Sequence, residues 1–138
     1  MEQVSLRNST TIGLYETKRA VLGALVGKGG KYHLLEEMLN CESGNNPNAV
    51  NPCDVDGTPS FSCLQFKPLT LKYYAEKYGL ADTVLWDEAD LMNWTMDCEF
   101  QKTIFLLMTE DKEVLFSQEF PGCFIKHYDD FLAIGLTK

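Results

Sequence analysis

The sequence lacks several features that define common classes of protein. It has no apolar run near the roughly 20 residues needed to cross a bilayer, so no membrane span is expected. Basic residues are few, 12 Lys and Arg against 20 Asp and Glu, which disfavours a nucleic-acid partner because phosphate binding relies on clustered cations. Repeats, low-complexity tracts and linkers are missing too. We therefore expect a single domain over residues 1–138, monomeric, with residues 1–12 as an N-terminal arm.

Metal-binding patterns are also missing. Only two histidines are present, and the five cysteines contain no CxxC pair of the kind found in zinc sites, so no metal site is predicted. An odd number of cysteines leaves at least one without a partner in the chain. In an oxidising compartment, the pairings to test are Cys53 with Cys63 and Cys98 with Cys123.

A clear signal peptide is not recognised. Lys18 and Arg19 precede a short apolar stretch, but this pattern lies far from Met1, and a short buried helix is the better interpretation.

Hydrophobic periodicity predicts a mainly helical domain. Apolar residues recur at helical spacing in several segments, Pro68 and two aspartates stand at suitable helix starts, and Gly79 suits a helix end. Residues 61–66 read as a short strand, and Asp56-Gly57 as the turn of a small hairpin. The predicted helices cover residues 14–26, 31–41, 68–78, 87–94 and 97–108, with one or two more in 111–138.

A turn-rich loop separates the helix over 31–41 from the predicted strand. Residues 43–60 contain four Asn, three Pro and two Gly, a composition typical of exposed turns. Glu42 lies at the end of the preceding helix, so its carboxyl group is expected beside this loop.

Three motifs surround the loop: Cys41-Glu42-Ser43-Gly44, Asn48-Ala49-Val50-Asn51, and Ser60-Phe61-Ser62-Cys63-Leu64-Gln65-Phe66. In order and spacing, this set resembles the lytic transglycosylase and goose-type lysozyme families, in which a helix ends on Glu-Ser and a later Gly-Leu-x-Gln stretch lines the sugar groove. The resemblance covers about residues 31–108. It implies a lysozyme-like fold, mainly α (α+β) with a small β-hairpin beside the cleft. It also implies cleavage of the β-1,4 bond between N-acetylmuramic acid and N-acetylglucosamine in peptidoglycan, without a cofactor.

Glu42 is the candidate general acid/base. Glycoside cleavage requires a carboxyl group that stays protonated near neutral pH, and a partly desolvated, apolar site provides one. Leu39, Cys41 and the returning Phe61, Leu64 and Phe66 are expected to form that apolar wall and to raise the pKa of Glu42.

The resemblance implies further site residues. Asp54 or Asp56 is a second catalytic candidate, because an aspartate in this loop can orient a water for an inverting hydrolase. Both aspartates could instead only shape the turn. The sugar-contacting candidates are Ser43, Ser62, Gln65, Phe66 and Gln101.

The chemical outcome has two branches. Hydrolysis would make the protein a muramidase, whereas attack by the sugar's own 6-hydroxyl would make it a lytic transglycosylase with a 1,6-anhydro product. The family's Ala-x-Tyr-Asn motif is absent, which favours hydrolysis. Ser62-Cys63 stands where a glycine usually precedes Leu-x-Gln, a change that would permit a loss of turnover. The rival class is a catalytically inactive glycan-binding or virion-structural module on the same scaffold. An active enzyme would work on the cell wall as a periplasmic, secreted or phage-delivered protein whose partner is the glycan strand.

Overall fold

The computed structural model describes residues 30–54 and 57–138, and this part of the chain is mainly helical with a small two-stranded sheet. The elements are α1 (Lys31–Ser43), β1 (Val50–Asn51), β2 (Ser60–Phe61), α2 (Pro68–Lys77), a 3₁₀ turn (Thr83–Leu85), α3 (Glu88–Thr95), α4 (Cys98–Met108), α5 (Phe116–Glu119), α6 (Pro121–Lys126) and α7 (Tyr128–Ala133). The predicted arm over 1–12, the predicted helix over 14–26 and Asp56 lie outside the described residues.

Local sequence signals account for the helix starts. The side chain of Asp87 accepts the Asp90 N–H in a reciprocal capping box, and that of Asp97 accepts the Phe100 N–H, which satisfies otherwise unpaired amides at the starts of α3 and α4. The expectation of one or two helices after residue 111 is wrong. Three short helices occur, because Pro121 begins a new helix and the chain bends again at His127.

The predicted hairpin is present, but the predicted strand over 61–66 is wrong beyond its first residue. β1 and β2 pair antiparallel, with Val50 opposite Phe61. After Phe61 the chain closes a tight turn, in which Phe61 and Phe66 exchange both backbone hydrogen bonds, at 3.0 and 3.1 Å. Ser62 and Gln65 have φ values of 66° and 56°, which no strand contains. The turn exists because it buries Cys63 and Leu64 completely.

One hydrophobic cluster connects the helices around α4. This helix is buried on most of its faces and packs against α1, α2 and α3. The largest fully buried side chains of the cluster are four phenylalanines from α4, α5 and α7: Phe100, Phe105, Phe116 and Phe131. In residues 30–54 and 57–138, no helix combines the length and apolar character needed to cross a membrane.

Two disulfides cross-link the described chain, and neither predicted pairing is correct. Cys41 is bonded to Cys123 and Cys63 to Cys98, over sequence separations of 82 and 35 residues, while Cys53 is an exposed free thiol. The Cys53–Cys63 pairing was predicted across the loop, whereas the turn at Cys63 points inward toward α4 and bonds to Cys98. The Cys98–Cys123 pairing is therefore wrong too, and Cys123 bonds to Cys41 at the end of α1. Closing loops of these lengths removes about 4 kcal/mol each of unfolded-state entropy in the chain-entropy model.

Replacing both Cys63 and Cys98 with Ala is expected to lower the free energy of unfolding by about 2–4 kcal/mol, because the 35-residue loop is no longer closed. Urea denaturation monitored by circular dichroism measures this loss. Cys53→Ser is the control and should unfold like the parent, since this thiol is exposed and unpaired. Peptide mapping without reduction that recovers a Cys53–Cys63 peptide would contradict the connectivity.

Candidate functional site

The end of α1 is held on both sides of Glu42. On one side, the disulfide of Cys41 ties the helix to α6. On the other, the Ser43 hydroxyl donates a 2.7 Å hydrogen bond to the Cys63 carbonyl and accepts the Asn46 N–H at 3.0 Å. Gly44 ends the helix in the left-handed conformation, with φ 66°, which glycine adopts without strain. Glu42 is therefore fixed in position by both of its sequence neighbours.

Glu42 lines a cavity of about 810 Å³. Its walls come from the end of α1, the hairpin loop, the turn that closes at Phe66, the start of α2, and the α5–α6 region. The apolar side of the cavity includes Phe66 and Phe120, whose rings meet edge to face at 5.7 Å. Of the five residues predicted to form this wall, Cys41 and Phe66 line the cavity. Leu39 and Leu64 are buried in the core instead, and Phe61 lies in β2.

Two causes together raise the pKa of the Glu42 carboxyl group from 4.5 to about 7: burial, which is the larger, and the nearby negative charge of Asp54. A carboxyl group with a pKa near 7 is protonated in a large fraction of molecules at neutral pH. It can therefore donate a proton and, once ionised, take one back.

Asp54 lines the same cavity as Glu42. Its backbone N–H bonds to the Thr58 carbonyl at 3.1 Å, and its carbonyl accepts the Gly57 N–H at 2.7 Å, so the hairpin loop positions this residue. Of the two predicted aspartates, the structure brings Asp54 to Glu42, and Asp56 is outside the described residues.

Two of the predicted sugar-contacting residues support a strained turn at the cavity edge. Gln65 lines the cavity, but its amide nitrogen donates to the Ser62 and Ala49 carbonyls, at 2.7 and 3.3 Å, and its side-chain oxygen accepts the Ser60 hydroxyl at 3.1 Å. The hydroxyl of Ser62 is buried and donates to the Met96 carbonyl. These bonds hold two non-glycine residues at positive φ, a strain that concentrates at functional sites.

Gln101 lies under the cavity wall and not in it. Its side chain is fully buried in α4, where the amide nitrogen donates to the carbonyls of Phe61 and Thr95 at 2.8 and 2.7 Å. Its side-chain oxygen accepts the Leu64 N–H at 2.8 Å. All of these bonds go to the protein backbone, so the amide anchors the hairpin and its turn to α4.

Sequence reasoning missed the α5–α6 wall of the cavity. Glu119 belongs to this wall, and burial raises the pKa of its carboxyl group, while the positive charge of Lys67 acts in the opposite direction. Lys126 also lines the cavity. The one available signal was Cys123, which would have brought this segment beside Glu42 had it been paired with Cys41.

Comparison with known proteins yields no match. No protein-family model, curated protein or solved structure matches this chain.

Glu42→Gln should stabilise the protein selectively at high pH. A carboxyl group with a raised folded-state pKa binds more protons folded than unfolded between pH 4.5 and about 7, so wild-type stability falls as pH rises through that window. At about 1.4 kcal/mol per pH unit, the loss is on the order of 3 kcal/mol. Urea denaturation at pH 4 and pH 8 measures it.

The expected result is a stability advantage of Glu42→Gln over wild type that is larger at pH 8 than at pH 4. Glu36→Gln is the matched control, since Glu36 is an exposed carboxylate on the same helix. An advantage of Glu42→Gln that does not change with pH would contradict the raised pKa.

Gln101→Leu should lower the free energy of unfolding by about 3 kcal/mol or more, because it leaves the Leu64 N–H and the Thr95 carbonyl buried without their partner. Chemical denaturation measures the loss. Gln118→Leu, at an exposed glutamine, should change stability by about 0.5 kcal/mol or less. Equal losses in the two variants would refute the anchoring role of Gln101.

Proposed function

We propose that this protein is a peptidoglycan-cleaving glycosidase with a lysozyme-like fold, in which Glu42 is the general acid/base. The bond cleaved is the β-1,4 link between N-acetylmuramic acid and N-acetylglucosamine. The observation that carries the proposal is the position of Glu42 in a partly apolar cavity of about 810 Å³, with its pKa raised to about 7. This is the protonation behaviour that glycosidic bond cleavage demands of its acid.

The proton transfers of the proposed reaction begin with this carboxyl group. Protonated Glu42 donates its proton to the glycosidic oxygen as the bond to the sugar's anomeric carbon breaks. In the hydrolytic branch, a water attacks that carbon from the opposite face of the sugar and gives up a proton to Asp54. This attack inverts the configuration at the anomeric carbon. In the other branch, the sugar's 6-hydroxyl attacks and ionised Glu42 takes its proton, giving a 1,6-anhydro product.

Asp54 supports the hydrolytic branch. It faces the same cavity as Glu42, and its negative charge favours protonated Glu42, so the two carboxyl groups are set for opposite tasks, one as acid and one as base. Asp54 is therefore our candidate for orienting the water.

The cavity continues into a second depression, which gives room for a chain of sugars. This depression has a volume of about 430 Å³ and shares Thr70, Gln118 and Glu119 with the larger cavity. Its outer wall includes Tyr73, whose exposed ring can stack on a sugar face. An extended groove of this kind suits a glycan strand better than a small metabolite.

We assign supporting roles to two predicted contact residues. Ser62 and Gln101 are buried, and their bonds to the backbone hold the hairpin and its turn in place. Gln65 and Phe66 line the groove itself, and Ser43 fixes the end of α1. The two disulfides favour action outside the cytoplasm, where such bonds persist, which suits an enzyme of the cell wall.

The rival proposal, an inactive glycan-binding or virion-structural module, has two features in its favour: Ser62 where the resembling families have a glycine, and an acidic surface. The net charge of −8 repels the protein from anionic cell walls. An enzyme that relied on electrostatic attraction to this substrate would carry a basic surface instead. A binding module would leave the glycan intact and would not depend on the acid function of Glu42.

The deciding experiment is mass spectrometry of the sugars released from purified peptidoglycan by the intact protein. We expect muropeptides with a free reducing end from wild type and from Glu36→Gln, and a loss of about a hundredfold or more in Glu42→Gln, since the proton donor is removed. Asp54→Asn separates the branches. It should suppress release strongly if Asp54 activates water.

Muropeptides that are one water lighter than the hydrolysis products, as 1,6-anhydro sugars are, would identify the protein as a lytic transglycosylase. Release that is equal in wild type and Glu42→Gln, or no release from several wall types, would overturn the proposal in favour of a binding module. Circular dichroism of every variant establishes that a loss of release is not a loss of folding.

A further inference from the structure

The two histidines of the chain face the same two carboxylates, away from the cavity. The Nδ1 atom of His127 lies 3.3 Å from one oxygen of Glu37 and 3.4 Å from one oxygen of Asp130. The Nε2 atom of His33 lies 3.7 and 3.9 Å from the other oxygens of these carboxylates. Two separate parts of the chain converge here: α1, and the segment that joins α6 to α7 and continues into α7.

We propose that Glu37, His127 and Asp130 form a binding site for a divalent transition metal of the zinc class. One ligand atom from each residue lies within 4.8 Å of the others. Zinc bonds of about 2.0–2.2 Å place neighbouring ligand atoms of a tetrahedral site roughly 3.3–3.6 Å apart. The two distances from His127 fall in this range, and the ligand atoms of Glu37 and Asp130 lie within 4.8 Å of each other.

The donor chemistry suits such an ion. Imidazole nitrogen favours zinc, copper and nickel over magnesium and calcium, and two carboxylates balance the charge of a divalent cation. The side chain of His33 is 62% exposed and can turn its ring to supply a fourth ligand, with water as the alternative. The sequence-based expectation of no metal site rested on cysteine spacing and on the presence of only two histidines. Neither observation excludes a site in which carboxylates from distant parts of the chain complete the ligand set.

The position of the cluster suggests a structural task. Glu37 precedes Cys41 by four residues on α1, and His127 follows Cys123 by four residues at the end of α6. Because one helical turn has 3.6 residues, the cluster lies about one turn along from the Cys41–Cys123 disulfide. A bound metal would be a second clamp between the same elements and would restrain the helix that carries Glu42. This inference does not depend on glycosidase activity.

Calorimetric titration of tag-free, chelator-treated protein with zinc chloride tests the site. The titration uses a Cys53→Ser background, because an exposed thiol binds zinc by itself. Glu37→Gln and His127→Gln remove one ligand each, and Glu36→Gln is the matched control on the adjacent exposed carboxylate. Visible absorption with cobalt(II) reports tetrahedral coordination, and the thermal midpoint reports stabilisation by the bound ion.

We expect one zinc ion per chain, with an affinity about tenfold or more weaker in Glu37→Gln and in His127→Gln but unchanged in Glu36→Gln. Zinc should raise the thermal midpoint of the parent and of Glu36→Gln only. Binding that is equally weak in all four proteins, or absent below millimolar zinc, would overturn the site and leave the cluster as ion pairs between histidines and carboxylates. Circular dichroism without zinc confirms that each variant is folded.

Discussion

The anchoring of the end of α1 is the constraint on which the candidate site depends. Cys41 is bonded covalently to α6, and Ser43 is hydrogen-bonded to the carbonyl of Cys63, which a second disulfide joins to α4. Glu42 lies between these two attachments. Since neither neighbour can move without breaking a bond, the carboxyl group stays in the cavity even though burial disfavours its charge. The fold thereby keeps the Glu42 carboxyl group buried, although burial makes its ionised form unfavourable at high pH.

Polar groups beneath the cavity also help to fix the backbone around the candidate site. The buried amide of Gln101 bonds to the carbonyl of Phe61 and to the N–H of Leu64 in the turn at residues 61–66. Ser62 and Gln65 adopt left-handed conformations within this turn. Such strain persists only where surrounding bonds determine the geometry. The cavity is thus bordered by rigid backbone on the hairpin side, whereas its α5–α6 side is attached to α1 by a disulfide.

Much of the helical fold could be predicted from the sequence, because caps and periodicity are local. Asp87, Asp97 and Pro68 mark helix starts that the structure confirms. What failed depended on distant contacts. The disulfide pairing, the inward turn at Cys63 and the wall around Glu119 follow from how helices pack, which no local pattern encodes. The place of Glu42 at the end of a helix beside the loop could be predicted because its flanking motif is local. The burial of Gln101 could not, since it depends on how α4 packs beneath the hairpin.

The most direct measurement is a carbon-13 NMR titration of the Glu42 carboxyl group in the intact protein, repeated in Asp54→Asn. We expect a pKa of about 7 in the wild type and a lower value in the variant, because the variant loses the negative charge that helps to raise it. The remaining shift should reflect burial, which is the larger cause. A wild-type pKa near the ordinary value of 4.5 would contradict the central claim, since Glu42 would then be ionised at neutral pH and unable to act as the acid.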